Sequence, residues 1–359
     1  MGLVCQRGFG ANVVSRGEWE ITRRAGVGND RITLEGIGKT DADLRAAARA
    51  WHAGIPLRWT AIESAAEVDA LARLTTGRHR PRTPFDVLIR FNPEVAPETH
   101  TGLAVGAGGS KFGLTEAELS QLVESMGRGP IRPRGIHLHV GSQLGAVDAW
   151  RDAVRRALAL LALIRGSRPE FDTLDVGGGF PVAPLGGAAP SAERFVREIP
   201  GLLETIPPDR QPIRWAVEPG RALVARSGWL LSRVLHVRQR VPRQVVIDAG
   251  MTELIRPALY GAIHPIVALT SNGTPVDSPD ATSDRFEQTR VDGPICESTD
   301  SLGEHRLPPL DRGDLVAIRD AGAYAASMAS TYNGRRRARQ VVLEPDGRLR
   351  LAGRQSTPG

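Results

Sequence analysis

Short apolar segments alternate with amphipathic segments along the first two-thirds of the chain. Such short apolar runs are typical of parallel strands that are buried on both faces. The candidate strands are Gly10–Val14, Ile32–Glu35, Leu57–Ile62, Asp86–Phe91, Gly135–Val140, Thr173–Val176 and Ile213–Val217. Helical patterns lie between them, and the strongest is the amphipathic stretch Ala149–Ile164. This alternation predicts a parallel sheet with right-handed helical crossovers.

The helix starts and the strand count refine this picture. Ser64 followed by Glu67, and Thr115 followed by Glu118, have the spacing of capping boxes at helix N-termini. Seven candidate strands are one fewer than the eight of a (β/α)₈ barrel. We therefore expect an α/β barrel in which one strand is missing.

The last third of the chain has a different pattern. Its β-like segments are separated by Gly, Pro and Asp turns and comprise Trp229–Val237, Gln244–Ile247, Asp314–Arg319, Gln340–Leu343 and Arg348–Leu351. The polar stretch Ser271–Asp284 is rich in turn-forming residues and predicts a mobile loop. We expect two domains: a barrel over residues 1–223 and a mainly β domain over residues 224–359.

Composition excludes several function classes. The formal charge is +6, yet of the 46 basic residues only Lys39 and Lys111 are lysines. The densest basic cluster, Arg335–Arg339, has no interleaved aromatic residues, so no nucleic-acid partner is predicted. No apolar stretch reaches the roughly 20 residues that a membrane span needs, and the N-terminus lacks a signal-peptide pattern. A cytoplasmic protein without a membrane partner is expected.

No metal site is predicted. Cys5 and Cys296 are too few and too far apart for a zinc site or a disulfide framework. His137 and His139 lie on one face of a candidate strand. They could bind a metal, but because no acidic or thiolate partner is near them in sequence, a ring-stacking or polar core role is favoured.

Two strand ends carry the strongest signs of a binding site. One candidate strand runs into Gly177, Gly178 and Gly179, where backbone N–H groups could approach a phosphate closely. The alternative is a tight strand-to-helix turn, for which one glycine would suffice. Glu218 and Arg221 flank Pro219 and Gly220 at the end of the seventh strand. They indicate a site, with a surface salt bridge as the alternative.

Taken together, these segments resemble a known family. The stretches HLHVGS, LDVGGGFP, EPGR, GPICESTD and DAGAY have the order and spacing found in fold-type III pyridoxal-phosphate decarboxylases. These are the alanine-racemase-like barrels of the ornithine and diaminopimelate decarboxylase group, and the resemblance runs from about Gly8 to about Leu351. The stretches DAGMTELIRPALY, SKFG and CES are most similar to the diaminopimelate decarboxylase branch.

The resemblance implies pyridoxal 5'-phosphate as the cofactor and a role for each matching residue. His139 would stack on the pyridine ring and Glu218 would lie at its nitrogen. The remaining cofactor-binding residues implied are Ser142, Gly177, Gly178, Gly179, Pro219, Gly220, Arg221 and Tyr324. Ser142, the three glycines and Tyr324 would bind the phosphate. Arg221 would lie near the phosphate or the substrate carboxylate.

The resemblance also implies how a small amino-acid substrate is bound. Arg256 and Tyr260 would bind its distal carboxylate, with Arg221 and Tyr324 as further substrate contacts. Glu297 would accept the distal ammonium group, and Cys296 would act with His139 in catalysis, as the proton donor. In the family the Cys, its acidic neighbour and the Tyr come from a second subunit, which implies a homodimer with shared active sites.

One family feature is absent from this sequence. The cofactor lysine of the family lies at the end of the first barrel strand, in a motif like Y-A-V-K-A-N. Met1 falls about where the first helix should be ending, and Lys39 and Lys111 match other family segments. We therefore expect either a start codon assigned too late or a truncated homologue.

The function that the resemblance implies is decarboxylation of meso-diaminopimelate to L-lysine and CO₂. Two alternatives stay open. One is a decarboxylase for another amino acid or a specialised-pathway intermediate. The other is a non-catalytic homologue.

Overall fold

The computed structural model describes residues 2–77, 81–95, 106, 109–182, 189–276 and 285–352. The predicted loop Ser271–Asp284 lies outside the described residues from position 277 onward. The chain divides into two compact units, Met1–Pro181 with Ala188–Pro219 and Gly220–Gly359 with Val182–Gly187. Each unit has its own hydrophobic core.

The first unit is built on a seven-stranded parallel sheet. Its strands follow chain order, β1 to β7, and each pairs with the next. They are β1 Ala11–Val13, β2 Ile32–Leu34, β3 Trp59–Ile62, β4 Phe85–Phe91, β5 Ile131–Leu138, β6 Thr173–Asp175 and β7 Arg214–Ala216. All seven predicted strands are confirmed. β5 begins four residues earlier than predicted because Ile131, Arg132 and Pro133 extend the pairing with β4.

Helices separate these strands. They are α1 Gly2–Gln6, α2 Arg16–Arg24, α3 Asp41–His52, α4 Ala65–Leu74, α5 Glu116–Ser125, α6 Asp148–Arg165, α7 Ala192–Val196 and α8 Ile199–Leu203. The predicted helix Ala149–Ile164 is confirmed as α6, which buries Trp150, Leu158 and Leu161 on its apolar face. The apolar periodicity therefore located this helix to within one residue at each end.

The two predicted capping boxes have different outcomes. At α5 the box is complete: the Thr115 hydroxyl accepts the Glu118 N–H, and the Glu118 carboxylate accepts the Thr115 N–H. At α4 the Ser64 hydroxyl accepts the Glu67 N–H, which forms half of the box. The Glu67 carboxylate instead accepts the Glu63 N–H and pairs with the Lys39 ammonium at 3.0 Å. A buried lysine therefore competes for the residue that would have completed the box.

The second unit is mainly β. It contains α9 Gly220–Val224, β8 Leu230–Arg238, β9 Arg243–Ile247, α10 Arg256–Tyr260, β10 Ile266–Leu269, β11 Glu287–Asp292, β12 Ser301–Leu307, β13 Leu315–Ile318, α11 Ala325–Met328, β14 Gln340–Leu343 and β15 Leu349–Ala352. Six strands form one sheet in the order β10-β13-β8-β9-β11-β12, and β14 pairs with β15 separately. A parallel β/α unit followed by a mainly β unit is thus confirmed.

Three strands of this unit, β10, β11 and β12, were not predicted from the sequence. β11 and β12 are rich in polar residues and bury few apolar ones, among them Val291, Leu302 and Leu307. β10 is short and carries a single fully buried residue, Ala268. Among the described residues, no helix is both long enough and apolar enough to cross a bilayer.

Candidate active site

The strand ends of the first unit bring a group of polar side chains together. Asn12 lies on β1, Glu35 follows β2, His137 lies near the end of β5, Asp175 ends β6 and Glu218 follows β7. Because the carboxyl ends of parallel strands lie along one edge of a sheet, these residues become neighbours despite their separation in sequence. We call Asn12, Glu35, His137, Asp175 and Glu218 the strand-end cluster.

Glu218 is held by direct contacts within this cluster. The Asn12 amide donates to Glu218 Oε1 at 2.6 Å and to Glu35 Oε2 at 3.1 Å. His137 Nε2 lies 3.1 Å from Glu35 Oε2 and 3.7 Å from Glu218 Oε1. Asn12 and Glu35 were not predicted as site residues, because each is an ordinary polar residue until the sheet places it beside Glu218.

Burial shapes the protonation of the three carboxyl groups. Burial raises the pKa of Glu218 well above its usual value, and the charges of Glu35 and Asp175 raise it further. Burial and the charge of Glu35 raise the pKa of Asp175 to about 8. For Glu35, burial opposes ionisation, but the charge of His137 and the hydrogen bond with Glu218 leave its pKa lowered. Burial and mutual repulsion thus favour the protonated forms of Glu218 and Asp175, whereas the neighbours of Glu35 favour its ionised form.

His139 and the three glycines form a second part of the site. The Gly178 N–H donates to His139 Nδ1 at 3.0 Å, so the imidazole accepts at this nitrogen. Burial lowers the pKa of His139 to about 3, which keeps the ring neutral at physiological pH. The two histidines that the sequence placed on one strand thus have different surroundings. His137 is buried in the strand-end cluster, and His139 is a neutral ring beside the glycine turn.

Each of the three glycines is required by the packing of the backbone. A Cβ at Gly177, Gly178 or Gly179 would lie 2.4 Å, 2.5 Å or 2.1 Å from a backbone oxygen of a neighbouring segment. Gly177 and Gly179 also adopt positive φ values of 65° and 91°. Close backbone approach therefore accounts for all three glycines, so their presence alone does not identify a phosphate site.

The remaining predicted residues of the first unit lie next to these groups in sequence. Ser142 is in the loop that follows β5, and Pro219 lies directly after Glu218 at the end of the unit. Gly220 begins α9 in the second unit and is followed by Arg221.

In the second unit, two guanidinium groups converge on tyrosine rings. Arg221 lies 4.7 Å and Arg256 lies 5.2 Å from the centroid of Tyr324, and Arg256 lies 5.0 Å from that of Tyr260. Burial and the charge of Arg256 lower the pKa of Arg221, and burial lowers that of Arg256. Two partly desolvated cations stacked on aromatic faces form a ready site for an anionic ligand.

This arrangement corrects one sequence expectation. The resemblance implied that Tyr324 comes from a second subunit to meet Arg221. In the structure both residues belong to the second unit of one chain, because the turn carrying Tyr324 packs on the segment that follows Arg221. The Gly322 N–H donates to the Ala225 carbonyl, and the Ala321 N–H donates to that of Gly228. Arg221 and Tyr324 therefore meet without a second copy of the chain.

A third group of the second unit surrounds Cys296. The thiol is exposed, and the Asn333 amide donates to its sulfur at 3.6 Å. The Tyr332 hydroxyl hydrogen-bonds Glu297, and this bond with the charge of Glu297 raises the pKa of Tyr332. Buried Asp300 supports the loop by accepting the Met251 and Ile295 N–H groups at 2.6 Å and 2.7 Å.

Comparison with known proteins identifies the family. Residues 1–225 match the family described as "Pyridoxal-dependent decarboxylase, pyridoxal binding domain". The chain belongs to this family of pyridoxal-dependent decarboxylases. It is 32% identical over 356 residues to diaminopimelate decarboxylase of Zymomonas mobilis, covering 98% of this chain and 79% of that protein. It is 31% identical over 352 residues to that of Archaeoglobus fulgidus, covering 96% and 79%.

Solved structures of the decarboxylase family agree with this assignment. Diaminopimelate decarboxylase from Helicobacter pylori complexed with L-lysine matches with a TM-score of 0.84 and 28% identity, covering 98% of this chain and 82% of that one. The enzyme from M. jannaschii in co-complex with L-lysine matches with a TM-score of 0.83 and 27% identity, covering 99% and 79%. The predicted family, its barrel fold class and its pyridoxal phosphate dependence are confirmed.

The side chains present fit the ring of this decarboxylase cofactor. Glu218 offers a carboxyl group that can share one proton with the ring nitrogen, and His139 offers a neutral ring that can stack. In the described part of the chain, His137 Nδ1 and Glu35 Oε1 are buried without a hydrogen-bond partner. The cluster can therefore form further hydrogen bonds. These are the donor, acceptor and stacking groups that a protonated pyridine ring requires.

Neither lysine is placed for covalent attachment of the cofactor. The Lys39 side chain is fully buried, and its ammonium contacts Glu67 and the Gly36 carbonyl. The Lys111 ammonium lies 5.2 Å from the centroid of Phe112. The family lysine therefore has no counterpart in the strand-end cluster as the structure describes it.

Proposed function

We propose that this chain decarboxylates meso-diaminopimelate to L-lysine and CO₂ in a pyridoxal-phosphate-dependent reaction. The observation that carries the substrate assignment is the convergence of Arg221 and Arg256 on Tyr324. Two partly buried cations suit a substrate with a carboxylate at its distal end. The similar proteins from Zymomonas mobilis and Archaeoglobus fulgidus are diaminopimelate decarboxylases, which supports the same substrate.

When bound, pyridoxal phosphate supplies an electron sink for the carbanion that remains after CO₂ departs. Glu218 holds a proton at the ring nitrogen, and the Asn12 amide fixes the orientation of its carboxyl group. His139 stacks on the ring and stays neutral. The turn Gly177–Gly179, Ser142, Pro219, Gly220, Arg221 and Tyr324 would hold the phosphate end. The Gly177 and Gly178 N–H groups themselves donate to Asp175 and His139.

The substrate end is bound by the second unit. Arg256 and Tyr260 bind the distal carboxylate, and Arg221 and Tyr324 extend this anionic site. Glu297 accepts hydrogen bonds from the distal ammonium group. The Cys296 thiol gives its proton to the carbanion carbon. In this proposal residues 1–223 form the cofactor-binding domain, from which Arg221 also contacts the substrate. Residues 224–359 contribute the other substrate groups, and Tyr324 among them also contacts the phosphate.

Substrate preference tests the assignment. We expect lysine and CO₂ from meso-diaminopimelate with kcat/KM at least about 100-fold above that for ornithine, because ornithine has no distal carboxylate to pair with Arg256. Reduced phosphopyridoxyl conjugates of the two amino acids provide a second measurement, because their binding needs no lysine. Equal affinity of the two conjugates, together with equal turnover, would exclude this substrate.

A homodimer with shared active sites is part of the proposal. The exposure of Cys296 and Glu297 supports it, because a second copy could bring its strand-end cluster to these groups. Mixing Glu218→Gln with Cys296→Ala should restore about a quarter of the sites, since one site of each mixed dimer is intact. A mixture of Glu218→Gln with His139→Ala is the matched control and should stay inactive. Subunit exchange without recovery in the first mixture would rule out sharing.

We also propose a cytoplasmic location. Both cysteines are free thiols, as is usual in a reducing compartment. Cell fractionation with detection of the chain tests this, and recovery in an oxidising compartment would contradict it.

A second candidate function is favoured by the two lysines. Because the contacts of Lys39 and Lys111 leave neither amine in the strand-end cluster, the chain could bind pyridoxal phosphate without turnover. It would then act as a cofactor-binding homologue. Lysine formation from meso-diaminopimelate with added pyridoxal phosphate distinguishes the two functions: turnover favours the decarboxylase, and binding without turnover favours the cofactor-binding homologue.

A further inference from the structure

Two neighbouring residues of one turn contact two neighbouring residues of another. The short 3₁₀ turn Tyr332–Gly334 follows α11, and Cys296–Glu297 lies between β11 and β12. The Tyr332 hydroxyl hydrogen-bonds Glu297, while the Asn333 amide donates to Cys296 Sγ at 3.6 Å. Tyr332 thus contacts Glu297, and its neighbour Asn333 contacts Cys296, the neighbour of Glu297. All four residues lie in the second unit.

Asn333, which makes this contact, has an uncommon backbone conformation. Asn333 has φ 53° and ψ 25°, in the left-handed region that most residues with a Cβ avoid. Asparagine tolerates this region better than most residues. The conformation alone would suit glycine equally well, so the amide group is the feature that glycine could not supply.

We propose that Asn333 is a positioning residue for the Cys296 thiol, which its side-chain amide orients and prepares to release a proton. The role of that proton in decarboxylation rests on the proposed function. In that step the S–H bond breaks, a C–H bond forms at the carbanion carbon, and the sulfur keeps the electron pair as a thiolate. The side-chain N–H of Asn333 then donates to this thiolate, stabilising the charged form relative to the thiol.

The charges around the thiol set the direction of the effect. Glu297, next to Cys296 in sequence, disfavours a second negative charge, and its hydrogen bond with Tyr332 engages part of its carboxylate. Arg335, two residues beyond Asn333, directs its guanidinium to the Asp248 carbonyl. The neutral Asn333 amide is thus the group whose contact with the sulfur favours the thiolate.

The test measures Cys296 directly in the full-length protein without substrate, so it is independent of the proposed function. The rate of iodoacetamide alkylation is followed against pH, and peptide mapping assigns the label. Cys5 is buried, and a Cys5→Ala variant, expected to react at the unmodified rate, confirms that the signal is from Cys296. Thiolate absorbance, read as the difference from Cys296→Ser, gives the same titration without a reagent.

Three variants distinguish the effect of the Asn333 amide on the thiol from the effect of the turn conformation. Asn333→Gly keeps the positive φ and removes the amide, so the alkylation rate at neutral pH should fall about threefold and the titration midpoint should rise. Asn333→Asp replaces the donor by a carboxylate and should lower the rate about tenfold. Tyr332→Phe leaves the amide in place and should change the rate less than about twofold.

Two results would overturn the proposal. One is an unchanged rate and midpoint in both Asn333 variants. The other is a loss in Tyr332→Phe as large as that in Asn333→Gly, which would show that the turn, and not the amide, controls the thiol. If Asn333→Asp does not fold, the alkylation rate and titration midpoint of Asn333→Gly decide the test.

Discussion

At the residue scale, the buried carboxyl of Asp175 makes the stability of the protein depend on pH. The pKa of Asp175 is raised to about 8 by burial and by Glu35. A raised folded-state pKa means that the folded protein binds more protons than the unfolded chain between the two pKa values. The stability from this group is therefore complete below about pH 4 and is lost as the pH rises to about 8.

We expect Asp175→Asn to remove this dependence. The amide oxygen can still accept the Gly177 N–H, which Asp175 accepts at 2.9 Å. The variant should resemble the unmodified protein at pH 4 and have a melting temperature a few °C higher near pH 9. Thermal denaturation at both pH values measures this, with the exposed Asp209→Asn as the control. An equal shift in Asp209→Asn, or none in Asp175→Asn, would contradict the assigned burial effect.

At the element scale, the capping box of α5 is a local device that sequence and structure agree on. The Thr115 hydroxyl and the Glu118 carboxylate satisfy each other's backbone N–H groups. Hydrogen bonds from Thr115 lower the pKa of Glu118, so this contribution is lost as the pH falls through that lowered pKa.

Removing the cap should destabilise the first unit by a small, defined amount. Thr115→Ala should lower the free energy of unfolding by about 1 kcal/mol, since the Glu118 N–H in the first turn of α5 loses its acceptor. Thr115→Ser keeps the hydroxyl and should retain most of the stability. Denaturant unfolding of the three proteins measures the differences. Equal stability of the Ala and Ser variants would show that the hydroxyl contributes nothing.

At the scale of the whole molecule, the chain has two lysines, and both make contacts away from the strand-end cluster. Withdrawing Lys39 from Glu67 would leave a carboxylate that is 13% exposed without its cationic partner, which is costly. We therefore expect pyridoxal phosphate to bind noncovalently to this chain, to be removed by dialysis, and to leave no borohydride-reduced adduct. The measurement is peptide mass mapping after reduction.

The control for this labelling is Glu218→Gln, which should bind the cofactor more weakly because the ring nitrogen loses its ionisable partner. An adduct on Lys39 or Lys111 together with lysine formation would contradict the prediction.

The sequence by itself determined where the buried elements lie and which residue types mark the site. The seven parallel strands and α6 were predictable because burial on both faces of a strand, or on one face of a helix, demands apolar residues at regular positions. β11 and β12 were not, because they are rich in polar residues and bury only a few apolar side chains. Glu218, His139 and Cys296 stood out because they occur in dense local motifs.

Only the tertiary structure decided which of these groups meet. Asn12 and Glu218 are 206 residues apart, and their contact follows from the order and register of seven paired strands. Tyr324 lies against Arg221 of the same chain because the glycine turn before it packs on the segment after α9. Asn333 reaches Cys296 through a left-handed turn. Local patterns record burial and propensity, whereas these contacts depend on strand neighbours and turn geometry, which no short stretch of sequence contains.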